Sequence, residues 1–73
     1  MIEIEVNDRL GRKERIKCNP DDTIRELKIL VAFKIGTRPE RIRLHLADRV
    51  LADSVTLEDY EIHQDSQIEM SYE

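Results

Sequence analysis

The spacing of the apolar residues first changes between residues 19 and 23. Before this point apolar and charged residues alternate over "IEIEV", and they alternate again over "RIKC" after the turn formers of "NDRLG". A period of two residues is typical of a strand with one buried face, so this segment predicts a β-hairpin. Beyond this point the period becomes that of a helix, which restricts the first half of the fold to a hairpin followed by a helix.

The helix carries its own start and stop signals. Thr23 and Glu26 fit a capping box, in which the hydroxyl and the carboxylate satisfy amides of the first turn. Gly36 stands where a left-handed C-terminal cap is expected. These signals predict a helix over residues 23–35. Its core-facing stripe should consist of Ile24, Leu27, Val31 and Ile35.

Three further strands are predicted in the second half of the chain. Alternation marks "IRLHL" (42–46) and "QIEMSY" (67–72), and a short strand is expected around Val50–Leu51. The intervening "SVTLEDYEIH" has no sustained period. We expect a loop there around a short helical turn, anchored by Leu57, Tyr60 and Ile62. The order β-β-α-β-β-β predicts a single α+β domain over residues 1–73, with a mixed sheet packed on one helix.

Size and charge exclude several classes of function. A chain of 73 residues leaves no room for a second core or an internal cavity, so we expect no cofactor. The net charge of −4 argues against nucleic acid as the main partner. The single cysteine forms no internal disulfide, the N-terminus lacks the apolar core of a signal peptide, and no apolar stretch could span a membrane. We therefore expect a soluble protein of the cytosol or nucleus.

No arrangement of residues predicts catalysis. Cys18 alternates inward with the strand, so a packing cysteine fits it better than a nucleophile does. His45 and His63 lie on different elements, are assigned to the surface and lack the clustered ligands of a zinc site. No catalytic triad spacing, phosphate loop or carboxylate pair is present. We predict neither an enzyme nor a metal site.

Charge is distributed unevenly along the chain. Residues 9–17 carry five cations against Glu14, whereas residues 48–73 carry eight carboxylates against Arg49. This pattern favours the electrostatic choice of a protein partner, and a solvated surface of mixed charge explains it equally well. Direct RNA binding through the basic segment is a further alternative, although the chain offers only three aromatic residues for stacking.

The whole chain resembles ubiquitin and its β-grasp relatives. The order of elements, "NPDDTI" before the helix and "TLEDY" before the last strand carry this resemblance. Within that superfamily, "MIEIEVNDRLGRKERIKCNPDDTI" and "TLEDYEIH" are similar to the ubiquitin-like protein 5 family, also called homologous-to-ubiquitin. The resemblance implies the ubiquitin-like β-grasp fold.

The last residues bear on whether the chain is attached to other proteins. Ubiquitin and its conjugated relatives continue past the last strand as a flexible tail that ends in Gly-Gly, thin enough to enter an enzyme's active site. Here the last strand runs into Tyr72 and Glu73, and Ser71-Tyr72 replaces the tyrosine pair usual in the family. We expect a nonconjugating protein. The alternative is a covalent modifier that uses an atypical tail.

The usual recognition face of ubiquitin is predicted to be polar in this chain. In ubiquitin an apolar patch is contributed by the first turn, the third strand and the last strand. The corresponding positions here are Arg9, His45, Glu69 and Ser71. A receptor that buries an aliphatic patch would have to desolvate two charges, which costs several kcal/mol. We expect ubiquitin receptors not to bind.

The family resemblance also implies a function. Members bind a short helical element of a splicing factor noncovalently and modulate pre-mRNA splicing, which implies a location in nucleus and cytoplasm. In that family the aspartate of "DDT" pairs with a partner arginine, a role that falls on Asp22. Lys17 and Asp21 are further candidates for partner contacts. From the residues alone, a role of Asp22 in helix capping only stays open. We expect a monomer with a spliceosomal protein partner.

An apolar pair is predicted on the outer face of the helix. Ile29 and Phe33, with Ala32 nearby, project roughly opposite the core stripe. The pair indicates either a docking spot for a partner or a second copy, or two exposed apolar residues of the kind common in soluble proteins.

Overall fold

The computed structural model describes all 73 residues. A five-stranded sheet has the order β2-β1-β5-β3-β4, in which β1 and β5 run parallel and the other neighbours antiparallel. Its strands are β1 (Ile2–Asp8), β2 (Lys13–Cys18), β3 (Ile42–Leu46), β4 (Arg49–Val50) and β5 (Gln67–Tyr72). The single helix α1 spans Ile24–Ile35, and two 3₁₀ turns cover Pro39–Arg41 and Glu58–Tyr60. The predicted order β-β-α-β-β-β and the mixed sheet on one helix are confirmed.

The turn between β1 and β2 is held by one aspartate. The Oδ1 atom of Asp8 accepts hydrogen bonds from the backbone N–H groups of Leu10 and Arg12, each at 2.9 Å. Gly11 adopts φ +87°, a left-handed conformation that a glycine reaches without steric cost. The hairpin register that follows pairs Ile4 with Ile16, so the apolar residues of both strands share the buried face.

The helix begins and ends where its capping residues predict. The N–H of Glu26 donates to Thr23 Oγ1 at 3.2 Å, and the N–H of Thr23 donates to Glu26 Oε1 at 3.1 Å. At the other end Gly36 has φ +82° and donates its N–H to the carbonyl of Ala32 at 2.9 Å. The N–H groups of Ile24 and Arg25 donate to carbonyls of the loop after β4, so the caps and that loop together satisfy the ends of α1.

The core consists of 15 buried residues, all of them apolar. From α1 the buried residues are Ile24, Leu27, Val31 and Ala32, whereas Ile35 is only partly buried. The predicted position of Ala32 beside the outer pair is therefore wrong. Ala32 lies eight residues after Ile24, a spacing that belongs to the inward face of an amphipathic helix.

The segment between β4 and β5 packs beside the start of α1. Leu57 and Ile62 are buried, and Tyr60 accepts a hydrogen bond at its hydroxyl from the N–H of Ala52 at 2.8 Å. The Arg49 guanidinium lies 5.4 Å from the centre of the Tyr60 ring. These contacts confirm the expected anchors of the loop and make it a rigid neighbour of the helix N-terminus.

No helix in the structure combines the length and the apolar character that crossing a bilayer requires.

Candidate protein-docking groove

The segment that leads from β2 into α1 fixes the position of Asp22. The backbone N–H of Asp22 donates to the carbonyl of Asn19 at 3.0 Å, and its carbonyl accepts from the N–H of Leu57 at 2.9 Å. Its side-chain Oδ2 accepts from the N–H of Asn19 at 2.8 Å. Hydrogen bonds of its backbone and of its side chain therefore fix the orientation of the Asp22 carboxylate.

The carboxylate of Asp22 is not the cap of the helix. The capping box of Thr23 and Glu26 satisfies two first-turn amides, and loop carbonyls accept the other two. The Asp22 side chain bonds backward to Asn19 and accepts no hydrogen bond from an amide of α1. The other carboxylate oxygen, Oδ1, makes no hydrogen bond within the chain, and no cation lies within 4.0 Å of the group. Asp22 has a fixed orientation and a free acceptor.

A shallow groove of about 420 Å³ lies between the end of β2 and the outer face of α1. We call it the Asp22 groove. Four apolar residues line it, Met1, Cys18, Ile29 and Leu30, together with four polar ones, Lys17, Asn19, Asp22 and Glu26. Three of the residues singled out from the sequence, Lys17, Asp22 and Ile29, meet in this groove. Asp21 is exposed and does not line it, and Phe33 lies in the adjoining depression.

The groove offers charges of both signs beside apolar surface. Lys17 is exposed on β2 and has no carboxylate within 4.0 Å of its ammonium. Glu26 already uses its carboxylate in the capping box. Only the Oε1 atom of Glu26 takes part in it, so the groove presents unpaired carboxylate oxygens at Asp22 and Glu26 and one unpaired cation at Lys17. Ile29 and Leu30 supply the apolar surface beside them. The groove suits an amphipathic segment that carries an arginine and an acceptor.

Sequence reasoning missed Met1 and Leu30 as groove residues. Leu30 is 40 % exposed, although leucines in a helix are commonly buried. The spacing of three residues between Leu30 and Phe33 was the available signal, since residues at i and i+3 share a helix face. The position of Met1 depends on its strand running beside β2, which the helix pattern does not reveal.

Comparison with known proteins places the chain in a family. A model described as "Ubiquitin family" matches residues 3–73. The chain belongs to the ubiquitin family. It is 53% identical over 72 residues to the "Ubiquitin-like modifier hub1" of Schizosaccharomyces pombe, covering 99% of each chain. It is 51% identical over 73 residues to the "Ubiquitin-like protein 5" of Drosophila melanogaster, covering 100% of each chain. It is 44% identical to the "Ubiquitin-like modifier HUB1" of Saccharomyces cerevisiae over 72 residues, or 99% of each chain.

These relatives confirm two of the predictions. The resemblance to the ubiquitin-like protein 5 family extends over the full chain, and the five-stranded mixed sheet with one helix is the β-grasp fold of the ubiquitin family. Ubiquitin-like proteins of this family are not themselves enzymes, in agreement with the prediction made for this chain.

The face that corresponds to the ubiquitin recognition patch is polar. The four expected residues, Arg9, His45, Glu69 and Ser71, line one depression of about 440 Å³ beside the β1–β2 turn. Arg9 and Glu69 are exposed. His45 is half-buried rather than fully at the surface, because its Nε2 lies 2.9 Å from the hydroxyl of Ser71 on the paired strand. A ubiquitin-family member with these residues presents hydrogen-bonding groups where ubiquitin presents aliphatic ones.

The basic hairpin is partly neutralised within the ubiquitin-family domain. Arg15 lies 2.8 Å from both Glu3 and Asp65, and Arg12 lies 3.2 Å from Glu14. The hydrogen bonds that Arg15 donates to Asp65 and to Glu3 raise the pKa of Arg15, and the bond to Asp65 lowers the pKa of that carboxyl. A solvated surface of mixed charge therefore accounts for these two arginines. The lysines of β2, Lys13 and Lys17, have no ion-pair partner.

Cys18 lies under the Asp22 groove as a buried thiol. Burial, assisted by the charge of Asp22, raises the pKa of Cys18 to about 11. Because the thiolate is the reactive form, the group is kept protonated and inert at neutral pH. No group of three or more His, Cys, Asp or Glu side chains is placed to hold a metal ion.

Residues 71–73 are held against β3. Tyr72 pairs with Ile42 in the sheet, and the N–H of Glu73 donates to the carbonyl of Arg41 at 2.8 Å. The carboxylate of Glu73 forms an ion pair with Arg43. In this ubiquitin-family chain Ser71 and Tyr72 belong to the central strand β5, and Glu73 continues from its end.

Proposed function

We propose that this protein is a nonconjugating ubiquitin-like protein that binds a short helical element of a partner noncovalently in the Asp22 groove. The observation that carries the proposal is the Asp22 carboxylate. One oxygen is tied to Asn19, and the other is free beside an apolar strip of α1. A carboxylate already held in place loses little side-chain entropy when a partner binds it.

The partner element supplies an arginine to Asp22. A guanidinium is planar and holds its N–H groups in a fixed geometry. One of these groups can therefore donate to the free oxygen of Asp22 in a defined direction. Lys17 faces a carboxylate or carbonyl of the same element, and apolar side chains of the element pack on Ile29 and Leu30. Helical elements commonly dock in this way, with anchors at i, i+3 and i+4 on one face.

We propose further that the partner is a splicing factor and that binding modulates pre-mRNA splicing, in nucleus and cytoplasm. Support for this comes from the resemblance to the ubiquitin-like protein 5 family, which implies such a role. The resemblance covers the segment that forms the groove, since "KCNPDDTI" spans Lys17 to Ile24. The chain acts as a monomer in this proposal.

The second candidate function is covalent modification of other proteins. The Schizosaccharomyces pombe and Saccharomyces cerevisiae relatives are named ubiquitin-like modifiers. Against this reading stands the pairing of Tyr72 and Glu73 with the β3 side of the sheet. An adduct of higher mass that survives boiling in denaturant and reductant would favour covalent attachment.

Affinity capture from a nuclear extract tests the proposal. The wild-type protein should retain a splicing factor, and Asp22→Lys should lose it because an arginine would then face an ammonium group.

Asp22→Asn is the structural control, since it keeps an oxygen acceptor for the N–H of Asn19 while removing the charge. It should also bind weakly. Asp21→Lys changes an exposed neighbour outside the groove and should bind as wild type does. Equal capture by wild type and Asp22→Lys would refute the proposal.

A further inference from the structure

The most exposed large apolar side chain of the helix lies outside the Asp22 groove. Phe33 is 85 % exposed and stands one turn beyond Leu30 on the same face of α1. The two side chains line a depression of about 710 Å³ between α1 and β2, whose floor is the buried Ile16. A single exposed apolar residue is ordinary. Here two of them adjoin a concave surface, which gives a contiguous apolar patch.

Free cations rim this patch. Lys17 of β2 and Lys34 of α1 both line the depression, and neither has a carboxylate within 4.0 Å. The third cation, Arg15, is occupied by Glu3 and Asp65. The negative end of the helix dipole stabilises a cation in the last turn of α1, which accounts for Lys34. It does not account for the exposure of Phe33. In a chain of net charge −4, this rim is a local positive site.

A second copy of the chain does not fit this surface. In a twofold dimer each patch would meet its own equivalent, so Lys17 and Lys34 of one copy would face those of the other. Like charges brought together across an interface cost several kcal/mol. An occupant that carries carboxylates around an apolar centre satisfies both the lysines and Phe33.

We propose that Leu30, Phe33, Lys34 and Lys17, which we call the Phe33 surface, form a second docking surface for an acidic amphipathic segment of a partner protein. The segment places a large apolar side chain against Phe33 and Leu30 and carboxylates against the two lysines. This surface shares Leu30 and Lys17 with the Asp22 groove, so one segment at a time would occupy those two residues. It goes beyond the function proposed for that groove through Phe33 and Lys34, which do not line it.

A pair of synthetic helical peptides tests the proposal. Both carry one apolar face, flanked by glutamates in the first peptide and by lysines in the second. Titration into isotopically labelled protein, followed by NMR, should give saturable shifts at residues 30–34 and at Lys17 with the glutamate peptide only. The binding should weaken as salt is added, since charge contributes to it. Asp22→Lys should bind the glutamate peptide as wild type does, which separates this test from that of the Asp22 groove.

Matched variants sharpen the test. Phe33→Ser and Lys34→Glu should each weaken binding of the glutamate peptide by about tenfold, the size of a central interface residue. Leu10→Ser and Lys13→Glu are the controls, because Leu10 is 89 % exposed on the far turn and Lys13 is an exposed lysine outside the depression. Both should bind normally. Lys34→Glu should gain affinity for the lysine peptide.

Four results would overturn the inference. The first is the absence of saturable shifts at residues 30–34, and the second is equal binding of the two peptides. The third is a set of shifts at Phe33 that depends on protein concentration without any peptide, which would identify the occupant as a second copy. Binding to vesicles of anionic lipid with no binding to the glutamate peptide would also contradict it.

Discussion

Single residues of this protein separate into those whose polar groups are satisfied and those left free. Asp8, Thr23 and Tyr60 each bond to backbone groups that would otherwise be unpaired in their turns. Asp22 and Lys17 differ, since one carboxylate oxygen of Asp22 and the ammonium of Lys17 have no hydrogen-bond or ionic partner inside the chain. Free, oriented charge on a small domain is the residue-scale basis for the binding role proposed here.

Cys18 gives a prediction at the residue scale. An unperturbed cysteine has a pKa of 9.0, and burial raises that of Cys18 to about 11. Alkylation by iodoacetamide at pH 7.5 should therefore be roughly a hundredfold slower in the native protein than in denaturant, where the thiol ionises normally. The reaction can be followed by mass spectrometry.

The same shift fixes the direction of the pH dependence. A thiol whose pKa is raised on folding favours the native state below its unfolded pKa, and this contribution is lost as pH rises towards about 11. Cys18→Ala should lose less stability than wild type between about pH 9 and pH 11. Native alkylation as fast as in denaturant would show that the thiol is not buried.

At the scale of elements, the parts specified by local chemistry could be predicted. The capping box at Thr23 and the left-handed glycine at residue 36 define α1, and the alternating segments define the strands. The short strand β4 is shifted by one residue, because Leu51 points into the core just after the strand ends.

Features that depend on distant parts of the chain could not be predicted. The ion pair between Arg15 and Asp65 joins residues 50 apart, and the Asp22 groove requires β2 to lie beside α1. The sequence predicted Asp22, Lys17 and Ile29 as separate candidates. Only the fold shows that they share a groove and that Asp21 lies outside it.

The helix cap gives a prediction at this scale. Thr23→Ala removes the hydroxyl that accepts the N–H of Glu26 and should lower the free energy of unfolding by about 1 kcal/mol. For a domain of this size the melting temperature should fall by about 4–8 °C. Urea denaturation followed by circular dichroism measures the change. Thr37→Ala is the control, since the Thr37 hydroxyl makes no hydrogen bond in the chain. Equal losses in the two variants would contradict the role of the cap.

At the scale of the whole molecule, the domain presents different chemistry on each side. The sheet surface near Arg9 and Glu69 is polar, and the α1–β2 side carries Ile29, Leu30 and Phe33. We therefore propose that an apolar partner segment docks on the helix side of this domain and not on its sheet.

The polar sheet surface leads to a prediction about ubiquitin receptors. Titration of a ubiquitin-associated domain against the labelled protein should give no saturable shift, because Arg9 and Glu69 would have to be desolvated without partners. Ubiquitin itself is the positive control in the same experiment. Micromolar binding at His45 and Glu69 would show that the face still serves as a receptor site.

A charge-reversal titration tests the central claim that Asp22 binds an arginine of a helical partner. The captured partner element, made as a peptide, is titrated calorimetrically against wild type and Asp22→Lys, and its arginine is then replaced by aspartate. We predict that Asp22→Lys weakens the wild-type peptide by at least about tenfold, or about 1.4 kcal/mol, and that the aspartate peptide recovers part of the loss. Unchanged affinity of Asp22→Lys for the wild-type peptide would contradict the account.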